Sequence, residues 1–306
     1  MSESFVGSLA EKNPDVILFL DIPADQEYDK IKTILERVPE TKIAILDHHI
    51  FERNMNHIGI LHINPRFRDK RVYIPASYIV YRIIERLGLN VKPLIWIACM
   101  GIIGDYGVED CIDIIEECKM DYPHLLKGDP MRSRLSDGAK IISSTVTLKG
   151  LKGAEICLDI LKKCSTYEDF IRIKKLREWR NIVDEEIKSL IDGFEREKEV
   201  YEPVIFYKIT TRLSLTSVIS TILSERYPDS IVVIRKKSGS QWKISVRNQS
   251  GEYNVGEIVK KSVQGIGSGG GHEKAAAGIV SKWRVFKKRL LDEVGKYKSI
   301  YSRNKK

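Results

Sequence analysis

The sequence predicts an α/β protein whose two domains are joined by a long helical connector. Three observations carry this. Two apolar runs, 15–20 (DVILFL) and 43–46 (IAIL), flank an amphipathic stretch, the pattern of a β–α–β unit. Residues 166–199 hold an apolar stripe at helical spacing without a proline. Beyond residue 200, strand-like runs flank one helical stretch and the charge balance changes sign. The expected boundaries are a parallel-sheet domain over 1–130, a helical connector over 131–199 and a smaller α/β domain over 200–306.

In chain order, 15–20 reads as a buried strand ending in Asp21. Residues 28–38 place Ile31, Ile34, Leu35 and Val38 on one helical face. Residues 43–46 are apolar without alternation, as in a strand buried on both faces of a parallel sheet. A helix between parallel strands implies a right-handed crossover, so Asp21 and Asp47 are delivered to the same sheet edge. Residues 75–88 read as a helix, with Pro75 near its start and Gly88 as its stop. Residues 93–104 form a third apolar run closed by Asp105, and periodicity leaves helix and strand both open for it. Residues 131–165 are helical in tendency, punctuated by Gly150 and Gly153. The stretch 166–199 predicts one helix of about thirty residues, roughly 45 Å long at 1.5 Å per residue.

In the last third, 203–209, 231–235 and 241–247 read as strands, with a helix near 216–227. Next comes 265–278, GIGSGGGHEKAAAG, with five glycines ahead of His272 and three alanines after it. Glycines let backbone approach a ligand closely, and successive N–H groups opening a helix form an anion site. The reading is therefore a glycine loop leading into a helix that packs through Ala275, Ala276 and Ala277. Residues 282–289, KWRVFKKR, add a basic C-terminal helix face.

Composition narrows the function. No apolar run is long enough to span a membrane. The five cysteines form no C-x-x-C and read as small buried hydrophobes in a reducing cytoplasm. Residues 201–306 hold 21 Lys and Arg against 8 Asp and Glu, a net +13, whereas the first 200 residues stand at −4. A basic domain on a mildly acidic body is the footprint of a polyanionic partner.

The chemistry concentrates at strand and helix ends. Asp47-His48-His49 follows a buried strand directly, where open α/β sheets place ligands. Asp21, His48 and Asp105 supply two carboxylates and an imidazole from three element ends, a ligand set suited to manganese or a similar divalent ion. Asp47 is better placed to orient an imidazole than to bind metal. Asp25, Glu109 and Asp110 read as turn and helix-start acids.

These motifs resemble the DHH phosphoesterases, the family of RecJ-like single-strand exonucleases. The match extends to their C-terminal DHH-associated domain through Gly269-Gly270-Gly271-His272 and the upstream Ser245-Val246-Arg247. The resemblance implies a two-metal hydrolase using manganese or magnesium, with its cleft between the domains. Asp21 would bridge the metals, with His48 and Asp105 on one of them. His49, oriented by Asp47, would face the scissile phosphate. Arg247 and His272, with Gly269, Gly270 and Gly271, would grip a phosphate or sugar of single-stranded DNA or RNA. Arg247 is expected to matter more there than Lys298. The sequence departs from the family in one respect: it contains no H-x-D-x-D, the first motif, which supplies the other metal ligands on the first strand of the sheet. Two expectations follow. Either the motif lies upstream in a longer protein, or the chain is a non-catalytic single-strand-binding scaffold working with replication or repair proteins. Both predict an unpaired edge or a gap beside the Asp21 strand.

Overall fold

The computed structural model describes residues 1–304, with side chains through residue 297. The Lys298 side chain and the last two residues of the 200–306 domain lie outside what is described. The chain forms two compact units: Met1–Ser143 with Glu155–Leu176, and Ser144–Ala154 with Arg177–Lys306. The stretch 131–199 is divided between them.

The first unit opens with α1 (Glu3–Lys12), capped by the Ser2 hydroxyl. Then come β1 (Val16–Leu20), α2 (Tyr28–Arg37), β2 (Lys42–Leu46) and β3 (Leu61–Ile63). The strands form a three-stranded parallel sheet in the order β1-β2-β3, with Leu20 opposite Leu46 and Leu46 opposite Ile63. One face packs Ile17, Phe19, Ile43 and Ile45 against Val6 of α1 and Ile31 and Ile34 of α2. The other packs Ala44 and Leu46 against Ile79 of α3 (Ala76–Arg86). β2 is therefore buried on both faces, as its unbroken apolar run predicts.

β1 is not. Val16, Leu18 and Leu20 are 53%, 59% and 43% exposed. The α3 layer covers β2 and stops short of β1, which pairs only with β2 among the described residues. This corrects the reading of 15–20 as a buried strand. It also gives the expected unpaired edge, without a gap in the sheet.

The ambiguous run 93–104 is a helix, α4 (Ile95–Gly104), buried almost all round. Gly101 allows its contact with α3, since a Cβ there would sit 2.7 Å from the Ser77 side chain. α5 (Ile112–Asp121), α6 (Arg134–Lys149) and α7 (Leu151–Leu161) follow. Gly150, at φ +63°, separates the last two. The single long helix expected over 166–199 is instead two. α8 (Tyr167–Ile171) is nucleated by a capping box between Thr166 and Asp169, and α9 (Lys174–Glu197) runs 24 residues.

The second unit carries a six-stranded sheet, β4-β5-β6-β7-β9-β8. Its strands are β4 (Glu199–Tyr201), β5 (Val204–Ile209), β6 (Ile231–Ser238), β7 (Gln241–Arg247), β8 (Gly267–Gly271) and β9 (Ala275–Val280). α9 and α10 (Thr216–Arg226) cover one face. α11 (Val255–Ser262) and α12 (Trp283–Asn304) cover the other.

The glycine-alanine segment is thus a β-hairpin, which overturns the reading of a loop opening a helix. Ala275, Ala276 and Ala277 pair with Arg247, Val246 and Ser245 of β7. Alanine's helical preference is worth only about 0.7 kcal/mol or less per residue, and pairing on both sides outweighs it. Gly269 has a packing role: a Cβ there would lie 2.7 Å from the Ala277 carbonyl and 3.2 Å from Val259 of α11.

The two sides of the first sheet make opposite predictions for mutation. Ile45→Ala, at a fully buried position, is expected to cost about 2–4 kcal/mol through lost burial and a residual cavity. Leu18→Lys, on the uncovered edge strand, is expected to change stability by less than about 0.5 kcal/mol. Urea unfolding followed by circular dichroism distinguishes them.

Candidate metal centre

The ladders that β2 makes with β1 and with β3 continue one step past the strands. Asp21 N–H donates to the Leu46 carbonyl at 3.0 Å, and Asp47 N–H donates to the Ile63 carbonyl at 3.1 Å. Asp21 and the DHH segment are thereby fixed side by side at the C-terminal edge of the sheet. Asp21 takes φ +59°, left-handed backbone that Asp tolerates better than most residues. Tyr106, which follows Asp105, takes φ +60°. Strain of this kind costs about 1–3 kcal/mol and clusters at functional sites.

His48 is 3% exposed, and its Nε2 lies 3.2 Å from Asp21 Oδ1 and 3.3 Å from Asp105 Oδ2. Asp105 reaches it from the C-terminal end of α4. Two carboxylates therefore converge on one buried imidazole nitrogen. Burial pushes the His48 pKa down, but the hydrogen bond to Asp21 and the charges of Asp105 and Asp21 outweigh it, and the net shift is upward. The His48 hydrogen bond holds Asp21 below the usual carboxylate range. Burial raises Asp105, and the His48 charge offsets it only in part. One cation's ligand atoms lie about 3 Å from each other at octahedral bond lengths near 2.1 Å, and both separations here are of that size. The two distances from His48 are thus those of neighbouring ligands on a divalent ion of the manganese or magnesium type. Asp21, Asp47, His48 and His49 each also bring a ligand atom within 4.8 Å of one another.

Asp47 is fully buried and turned toward His49. Its Oδ1 takes the His49 Nδ1 at 2.7 Å, and its Oδ2 accepts the His49 backbone N–H at 3.3 Å. This fixes the His49 ring with Nε2 directed away from Asp47, on a side chain that is 45% exposed.

Several supporting residues escaped the sequence reading. Asn64 Nδ2 donates to the His49 carbonyl at 3.0 Å, and Arg66 Nε donates to the His48 carbonyl at 2.8 Å. The Tyr73 hydroxyl donates to Asp105 Oδ1 at 3.2 Å, and its ring stands edge-on to His48 at 4.8 Å. Asp25, expected as a turn acid, is 1% exposed. Its Oδ2 accepts the N–H groups of Glu52 and Arg53 at 2.6 and 3.1 Å, tying down the loop after His49. Asp110 accepts the Tyr73 N–H at 2.7 Å. The only sequence signal for these residues was their place in loops next to the motif.

The remaining expected residues lie in the second unit. Arg247, at the end of β7, donates from Nη2 to Ser217 Oγ at 2.9 Å. From Nη1 it donates to Ser245 Oγ, the Val246 carbonyl and the Ala276 carbonyl at 3.1–3.4 Å. His272 is exposed in the β8–β9 turn, which rests on the start of α11 through the Gly256 N–H to the His272 carbonyl at 3.0 Å. Gly270 has open space where a Cβ would stand, unlike Gly269 and Gly271.

Comparison with known proteins agrees with this architecture. Residues 202–297 match the family model of the DHHA1 domain. RecJ from Thermus thermophilus in complex with Mn2+ superimposes with a TM-score of 0.72 at 15% identity, over 95% of this chain and 47% of that one. Exonuclease RecJ bound to manganese gives 0.67 at 16% identity, over 96% and 79%. The DHH domain of a member of a ribosomal-protein family gives 0.69 at 17%, over 96% and 74%. At such identities the likeness is one of fold, and the chain spans less than half the length of the Thermus protein. No curated protein matches the sequence.

Asp25→Ala strands two N–H groups next to the site. It is expected to cost about 1–3 kcal/mol, the loss of two hydrogen bonds at about 0.5–1.5 kcal/mol each. Hydrogen exchange at the Glu52 and Arg53 amides should accelerate, while that of β7 should stay unchanged.

Proposed function

We propose that this chain, RecJ-like in fold and carrying a DHHA1 domain over residues 202–297, is a divalent-metal-dependent phosphodiesterase acting on single-stranded nucleic acid. The observation that carries this reading is the buried His48 nitrogen held between the Asp21 and Asp105 carboxylates. Two carboxylates within 3.3 Å of one buried ring nitrogen suit a positive centre held among them. Asp21, His48 and Asp105 would hold manganese or magnesium, which would supply the charge that makes a phosphate electrophilic and water acidic.

The rest of the work falls to the chain itself. Asp47 orients His49, so that its Nε2 meets a phosphate oxygen or a proton of the attacking water. Tyr73 holds Asp105 in place, and Arg66 and Asn64 fix the carbonyls of the two histidines. Arg247, with His272 and the Gly269-Gly270-Gly271 strand, holds the terminal phosphate or sugar. The net +13 of residues 201–306 draws in the rest of the strand, which favours a polymer over a small nucleotide.

A second reading is favoured by one feature. The sequence has no H-x-D-x-D, so it offers candidate donors for one ion, whereas a second ion would have only Asp21. Two-metal hydrolysis needs both ions. A scaffold that binds single strands with the replication or repair machinery would need neither.

Two measurements decide. Isothermal titration with manganese is expected to show one ion per chain, lost in His48→Ala and Asp105→Asn. Hydrolysis of an end-labelled oligonucleotide in excess manganese should be slow and abolished by His48→Ala. Tight binding with no hydrolysis selects the scaffold. Separately, Arg247→Ala should weaken binding of a 5′-phosphorylated oligonucleotide by about 1.5–3 kcal/mol, the range for charged hydrogen bonds, and exposed Lys260→Ala by much less.

A further inference from the structure

The opposite end of β7 carries a second feature, separate from the Arg247 site. Strand pairing sets Lys208 beside Arg235 and Lys237 beside Trp242. The two-residue alternation then places Lys208, Arg235, Lys237 and Trp242 on one face. Trp283, the first residue of α12, stands over this corner, with its ring 6.2 Å from that of Trp242. The Arg235 guanidinium lies between the two indoles, 5.1 Å from the Trp242 centroid and 4.2 Å from that of Trp283. Its Nε is buried without a hydrogen-bond partner, and among the described residues its one ion pair is with Glu199 at 3.4 Å. Glu199 is shared with Lys287.

Core packing accounts for part of both indoles: Phe206 and Phe286 meet the Trp283 ring, and Trp242 packs against the same core. It does not account for the charge. Residues 235–243 carry four basic side chains and no acid, and 282–289 carry five and none. Lys208, Lys237, Lys282 and Arg284 are exposed, and Trp242 is half-buried, directly opposite Lys237. Cations gathered around an accessible indole are the elements of a single-strand platform: bases stack on the ring and phosphates meet the cations.

We propose that this corner is a second binding surface for single-stranded nucleic acid, with a base on Trp242 and phosphates on Lys237, Lys282 and Arg284. Trp242 and Arg247 are five residues apart on β7, about 17 Å at strand rise, and project to opposite faces. The surface is therefore distinct from the terminal grip and takes a stretch of strand well away from the terminus. The inference rests on the proposed substrate for its ligand class, but not on hydrolysis.

The test is equilibrium binding of a labelled oligodeoxythymidylate to the full chain in chelator, where no metal chemistry intervenes. Binding should quench tryptophan fluorescence. Trp242→Ala should remove most of the quench and weaken binding about tenfold, in line with stacking on one aromatic side chain. Lys237→Glu and Arg284→Glu, at exposed positions, should weaken it comparably and flatten the salt dependence. Wild-type affinity in all three variants would overturn the proposal. So would polyglutamate competing as well as the oligonucleotide, since that would mark an acidic protein as the occupant. Binding without hydrolysis in manganese leaves this surface standing and removes only the catalytic reading.

Discussion

The first unit depends on placing an imidazole at the end of a strand buried on both faces. β2 must be apolar to sit between α2 and α3, yet the chain passes within two residues from Leu46 to His48, itself 3% exposed. A polar group there costs free energy unless it is fully partnered. The surrounding loops supply partners for most of it: Asp21 and Asp105 on the ring Nε2, Arg66 and Asn64 on the carbonyls, and Asp25 on the backbone beyond, while the buried His48 Nδ1 is left without a hydrogen-bond partner. Removing any one of them leaves buried polar groups unsatisfied in the same small region, so site and fold are stabilised together.

The second unit solves a different problem, that of bringing a helix close to a sheet edge. α11 lies directly on the β8–β9 hairpin, and Gly256 and Gly269 have no room for a side chain. The glycines that read as a phosphate loop are therefore engaged in packing, and Gly270 alone among Gly269, Gly270 and Gly271 faces open space. The two faces of β7 also divide the work. Ser245 and Arg247 join the serines of α10, with Ser220 and Ser245 hydroxyls 2.8 Å apart. Trp242 joins the aromatic and basic corner at the other end.

The uncovered edge of β1 shows how local burial is decided. Ile17 and Phe19 are buried, while Val16, Leu18 and Leu20 on alternate positions are not. The strand is apolar on both faces, but the helical layer on one face reaches only as far as β2. A free edge with exposed apolar side chains is a place for further β pairing.

The sequence by itself determined the parallel β1–β2 pair, the helices bracketed by Pro75, Gly88 and Gly150, and the acids closing each apolar run. These rest on periodicity and on backbone chemistry that acts within a few residues. Only the tertiary structure decided that 93–104 is a helix, because a run buried on every side has no period to read. Tertiary pairing also turned Ala275 to Ala277 into a strand: two neighbouring strands offer more hydrogen bonding than alanine's intrinsic preference can resist. The partners of His48 were half legible. Asp21 and Asp105 stood at element ends, where chain direction places them at a common edge. Asp25, Arg66 and Tyr73 lie in irregular loops, where no repeat links sequence position to direction, and only the folded contacts bring them to the site.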